Sequence, residues 1–135
     1  MEATVDLKGT YYFRDTFPQL ARKSKLYGHS DQTLRKIFAG KYPARVFMYQ
    51  FPELPAEIRP DAHASSEYTL LPVFIGGKKV GYIPEDFHKT YFSFAKRITG
   101  VSARIRGGPC KSVAEADVCE TDVFSYSVRL TISYV

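Results

Sequence analysis

The stretch GGKKVGYIPEDFHKTYFSFAKRI, Gly76 to Ile98, changes from a strand period to a helix period within a few residues. Gly76-Gly77 tolerates positive φ, so Val73-Phe74-Ile75 is predicted to turn there and pair with Lys79 to Ile83 as a β-hairpin. Pro84 fits the first helical turn, where a missing N–H costs nothing. Glu85 and Asp86 then meet the positive end of the helix dipole. Phe87, Tyr91, Phe94 and Ile98 recur at helical spacing on one face, and Gly100 is the expected stop. A hairpin thus feeds a capped amphipathic helix.

Working outward, the clearest strand is the last. Phe124, Tyr126, Val128, Leu130, Ile132 and Tyr134 alternate with Ser125, Ser127, Arg129, Thr131 and Ser133, which predicts a half-buried antiparallel strand or barrel stave. Val101, Ala103 and Ile105 alternate in the same way with Ser102, Arg104 and Arg106. Toward the N-terminus, Thr4 to Phe13 reads as a strand. A short helix capped by Asp15 or Thr16 follows, carrying Phe17, Leu20 and Ala21 inward. Lys23 to Gly28 reads as a loop. Ser30 or Asp31 is placed to cap a second helix with Leu34, Ile37 and Phe38 on one face and Gly40 closing it. Lys41 to Phe51 is a strand, and Pro52 to Ser66, with three prolines, is a loop. Glu67 to Ile75 is a strand in which Pro72 marks an edge or a bulge. About six strands and three helices, joined mostly by hairpins, predict an α+β fold. Its expected core is a small, mostly antiparallel β-barrel of the OB or SH3 kind with two or three helices packed on it.

The chain has 135 residues, the size of one domain spanning 1–135, and can bury a core without metals or disulfides. No apolar run is long enough to cross a bilayer, and the opening MEATVDLKGTYY lacks the parts of a signal peptide. A cytoplasmic protein with no membrane partner is expected. Two cysteines, Cys110 and Cys119, are too few for a disulfide framework and read as reduced loop thiols. His29, His63 and His88 are scattered without metal-ligand spacing, so neither metal nor cofactor is expected.

The formal net charge is +5, and the charge is unevenly spread. Seven basic residues fall between Arg22 and Arg45 against one acid, Asp31; Lys78, Lys79, Arg104, Arg106 and Lys111 add further positions. This distribution suits either a basic face for polyanions or ordinary solvated charge. No nucleophile elbow, phosphate loop or paired-carboxylate cleft is present, so the reading is non-enzymatic. Basic residues do interleave with aromatics: Tyr11, Tyr12 and Phe13 precede Arg14, and Tyr82 follows Lys78-Lys79. Rings that stack on unpaired bases beside cations that track phosphate are the means of single-strand recognition, although most rings in such a chain belong to its core. Tyr12 and Tyr82 are the expected exposed pair.

The order of elements resembles the HIRAN domain, a small β-barrel module found alone in bacteria and phages and fused to helicase-like remodellers. IGGKKVGYIPEDFHKTY (75–91) resembles that family's strand–glycine–tyrosine–proline–helix passage. VDLKGTYYFRDTFPQLA (5–21) is similar to its first strand and following helix, and VSARIRGG (101–108) with FSYSVRLTI (124–132) to its closing strands. The resemblance implies a DNA-binding module, some members of which grip the 3′ end of a single strand. It places an end-holding aromatic pair on Tyr11 and Tyr12, the first of them standing where an arginine is often found. The family's Asn-Pro-x-Asp-x-Asn-Ala run falls on ASSEYTL (64–70), with Glu67 at the aspartate position, Thr69 at the second asparagine position, and no Asn-Pro. A basic residue beyond the Gly-Tyr falls near Glu85, a carboxylate that would repel phosphate. The resulting nucleic-acid-binding set is Tyr11, Tyr12, Arg14, Glu67, Thr69, Lys78, Lys79, Tyr82, Arg104 and Arg106. The replaced positions leave a second reading, a protein-interaction or structural module that has lost the nucleic-acid pocket.

Overall fold

The computed structural model describes residues 1–60, 70–115 and 117–135, with backbone alone at 119–123. In chain order it contains β1 (Glu2–Asp6), a 3-10 turn (Thr10–Phe13), α1 (Phe17–Leu20), β2 (Arg22–Lys23), α2 (Asp31–Ile37), β3 (Ala44–Phe47), β4 (Tyr49–Gln50), β5 (Leu54–Pro55) and β6 (Glu57–Ile58). Then follow β7 (Pro72–Ile75), β8 (Lys78–Tyr82), α3 (Glu85–Phe94), a 3-10 turn (Ala95–Arg97), β9 (Ile98–Val113) and β10 (Val118–Tyr134). The fold is strand-rich α+β.

The long hairpin β9–β10 organises the molecule. The end away from its turn buries Ala103 and Ile105 from β9 and Val128, Leu130 and Ile132 from β10, as alternation in both strands requires. Arg104, Arg106, Ser127 and Arg129 stand on the wet face. β1 pairs with β10 on one side, while β3 and β5 pair with different parts of β9 on the other. A separate antiparallel sheet, β6-β7-β8, supplies Val73, Ile75 and Val80 to the same core. Phe17 from α1 and Tyr91 and Phe94 from α3 complete it.

The sheets do not close into a barrel, which was expected only in a small, partly closed form or as a curled sheet: the strand order β1-β10-β9-β3 has two open ends. β9 is long enough to take β5 at Ser102–Ala103 and β3 at Cys110–Val113, and neither of these returns to β1. A register shift between Phe124 and Ser127 separates those two stretches of the hairpin. Opposite it Gly107 has φ 123°, and a Cβ there would lie 2.6 Å from the Ser125 carbonyl oxygen, so the bulge admits only glycine. Beyond the bulge, Leu34, Val46 and Val113 form a second, smaller core with Leu26, Tyr27, Phe38 and Tyr42 packed around it.

Several element boundaries differ from the sequence expectation. The first strand stops at Asp6, and the chain turns at Gly9 (φ 75°) into the 3-10 turn that carries Tyr11 and Tyr12. Lys41 to Phe51 is broken into β3 and β4, with the Met48 N–H donating to the Pro109 carbonyl between them. The proline loop contains β5 and β6. Ile37 is 44% exposed, because the two-turn α2 turns only Leu34 and Phe38 onto a three-residue core. Ser30 caps α2 as expected, its hydroxyl accepting from the Thr33 N–H. Pro84 sits at the N-cap of α3 rather than within its first turn, and Ile98 and Gly100 belong to β9 rather than to the helix end. Cys110 is buried in β9, not in a loop. The expected hairpin is present, with Gly76 and Gly77 both at positive φ. No helix among the described residues is long and apolar enough to cross a membrane.

Candidate functional site

The turn after β1 places two tyrosines in solvent. Tyr11 is 64% and Tyr12 80% exposed, their ring centroids 6.1 Å apart and nearly perpendicular. The Arg14 guanidinium lies 4.2 Å from the Tyr11 ring centroid and donates a 3.0 Å hydrogen bond to the Tyr11 carbonyl, which holds its charge beside that ring. The turn is pinned from below. The Thr10 hydroxyl donates to the Tyr126 carbonyl, and the Tyr126 ring stacks at 4.7 Å on the buried Phe17. Burial, with a smaller contribution from Tyr49, raises the Tyr126 pKa, so this phenol stays neutral.

β8 approaches the same turn. Lys8 and Tyr82 exchange backbone hydrogen bonds of 2.9 Å, and the Tyr82 ring packs against Gly9 and lies 5.8 Å from Phe13. Tyr82 is therefore half-buried, its ring serving as a wall rather than standing free. The Lys79 ammonium sits 5.6 Å from the Tyr82 centroid and 5.8 Å from that of Phe74. Lys78 donates to the Gln19 side chain of α1. The turn that carries Tyr11 and Tyr12, with Arg14 after it, thus meets β8 at Tyr82, and the two segments make one corner whose β8 side carries Lys78 and Lys79. Glu85 stands 83% exposed at its rim and pairs with Lys8 at 3.4 Å.

Arg104 and Arg106 belong to a different patch, the wet face of the large sheet. Register sets Asp6 opposite Arg129 and Arg129 opposite Arg104, and Ser127 opposite Arg106. Arg129 donates to Asp6 at 2.8 Å, and Arg104 lies 3.7 Å from Glu53, giving a row of charges ordered minus, plus, plus, minus. The hydrogen bond from Arg129 holds the Asp6 carboxyl below the ordinary aspartate range. Like charges directly opposite repel, and the two flanking carboxylates offset that. Among the described residues Arg106 makes no ion pair. Lys8 lies between this face and the tyrosine corner, since its backbone meets Tyr82 while the preceding Leu7 N–H donates to Val128 of β10.

Glu67 and Thr69, named by the family resemblance, lie outside the described residues. Lys8 and Arg129 were missed by sequence reasoning. Arg129 had a signal, its outward position in the last strand; Lys8 had none, because its place depends on a bridge to a strand seventy residues away. Among the described residues no three His, Cys, Asp or Glu side chains converge as they would around a metal. No family model matches the chain, and no curated protein or solved structure matches it significantly.

Proposed function

We propose that this chain is a non-catalytic nucleic-acid-binding module, with single-stranded DNA as the favoured ligand. The observation that carries the reading is the corner itself: two exposed tyrosines with Arg14, on a turn that meets Tyr82 of the strand bearing Lys78 and Lys79. Exposed rings offer stacking platforms worth about 1–3 kcal/mol per base, and the cations supply phosphate contacts. The sheet face bearing Arg104, Arg106 and Arg129 extends the positive surface past Lys8. The HIRAN resemblance supports the same reading, since it names Tyr11 and Tyr12 independently of their exposure. A protein-interaction module is the second reading, favoured by the exposed Glu85 at the rim, where it opposes phosphate.

Fluorescence anisotropy with a labelled short single strand tests the proposal. The parent protein binds, and a Tyr12→Ala, Lys78→Ala, Lys79→Ala variant loses about 10-fold or more in affinity. Equal binding by parent and variant sinks the nucleic-acid reading. Repeating the titration with a strand blocked at its 3′ hydroxyl separates an end-gripping pocket from a surface that follows the backbone.

A further inference from the structure

A groove of about 580 Å³ opens between β3–β4 and the Ile105–Gly107 stretch of β9, which faces the bulge in β10. Small-molecule sites commonly fall in this size range. Phe47, Tyr49 and Phe51 line it together with Ile105, and two guanidiniums, Arg45 and Arg106, stand at it. No carboxylate is among the described residues that line it. Arg45 makes no ion pair among the described residues; its guanidinium lies over the Phe124 ring at 4.6 Å. Arg106 lines both this groove and the arginine patch on the wet sheet face.

Flat apolar walls suit a planar ring, and two uncompensated guanidiniums suit a phosphate, which arginine grips by paired charge-assisted hydrogen bonds. A wholly apolar ligand would leave both guanidiniums unused, and a bare anion would leave the rings unused. We infer that this groove is a binding site for a nucleotide unit, an aromatic base carrying a phosphate, with Arg45 and Arg106 on the phosphate and Phe47, Tyr49 and Phe51 around the base. The site is separate from the tyrosine corner and stands whether or not that corner binds a strand.

Calorimetric titration with adenosine 5′-monophosphate tests it, with adenosine and inorganic phosphate as partial ligands. Saturable one-to-one binding of the monophosphate is expected, with each partial ligand at least about 10-fold weaker. Arg45→Gln and Arg106→Gln each weaken it about 10-fold without changing the thermal melt, since both side chains are exposed. Lys89→Gln, which removes the same charge from the exposed face of α3, leaves it unchanged. Displacement of the monophosphate by a short single strand identifies a nucleotide within a strand as the ligand, and absence of displacement identifies a free nucleotide; both support the site. No saturable binding, phosphate binding as tightly as the monophosphate, or equal losses in all three variants overturns it. Loss of strand binding in the tyrosine-corner variant has no bearing on these outcomes, so the two failures are distinguishable.

Discussion

Gly107 faces the extra residue of β10, where the two parts of the β9–β10 hairpin change register. Its φ of 123° is closed to side chains, and the Ser125 carbonyl oxygen and Tyr126 Cα would sit 2.6 and 2.8 Å from an added Cβ. Those obstacles are backbone, so they cannot swing aside. Gly107→Ala is expected to destabilise the fold by about 1–3 kcal/mol, read as a lowered midpoint in urea with the slope unchanged. An unchanged midpoint would mean that the bulge relaxes freely. Tyr12 behaves oppositely: at 80% exposure it contributes little to stability, so its substitution probes binding alone.

At the scale of elements, the wet face of β1, β10 and β9 is a charge ladder with its own titration. The folded pKa of Asp6 is depressed by the hydrogen bond from Arg129, so the pair's contribution is present above the unfolded value, about 3.9, and is lost as pH falls through the folded value. Both side chains are about two-thirds exposed, so solvent screens the pair and the stability at stake is small. Its effect on a bound polyanion is more visible. Asp6→Asn leaves Arg129 without its carboxylate and is expected to raise affinity for a single strand about two- to fivefold at neutral pH. The gain should vanish where Asp6 of the parent is itself protonated. Unaltered affinity in anisotropy would show that the strand does not pass over this face.

For the whole molecule, the proposed surface gathers charge that the chain scatters. Five cations, Arg14, Lys78, Lys79, Arg104 and Arg106, face solvent or the corner from three separate segments. If each meets one phosphate, log affinity against log salt has a slope of about −3.5 for a single strand. Lys78→Ala with Lys79→Ala should make it shallower by about 1.4. A slope near zero in the parent would remove phosphate contacts from the account.

Much of this was legible beforehand, and for local reasons. The alternation of Val128, Leu130 and Ile132 with Ser127, Arg129 and Thr131 specifies a one-sided strand, because successive side chains must point to opposite faces. The glycine pair at 76–77 specifies a tight turn, and Phe87, Tyr91 and Phe94 specify a helix face. The remaining features depend on long-range pairing. β9 extends through Gly107-Gly108 and takes two different neighbours, which leaves the sheet open, and no local pattern reports which strands will share an edge. Lys8 meeting Tyr82, Arg129 standing opposite Arg104, and Arg45 sharing a groove with Arg106 are all consequences of that pairing. Local pattern alone dictates which side of each main strand faces water, because side-chain direction follows from backbone geometry one residue at a time. Which cations become neighbours was settled only when distant segments paired, because that is fixed by register and packing across the whole chain.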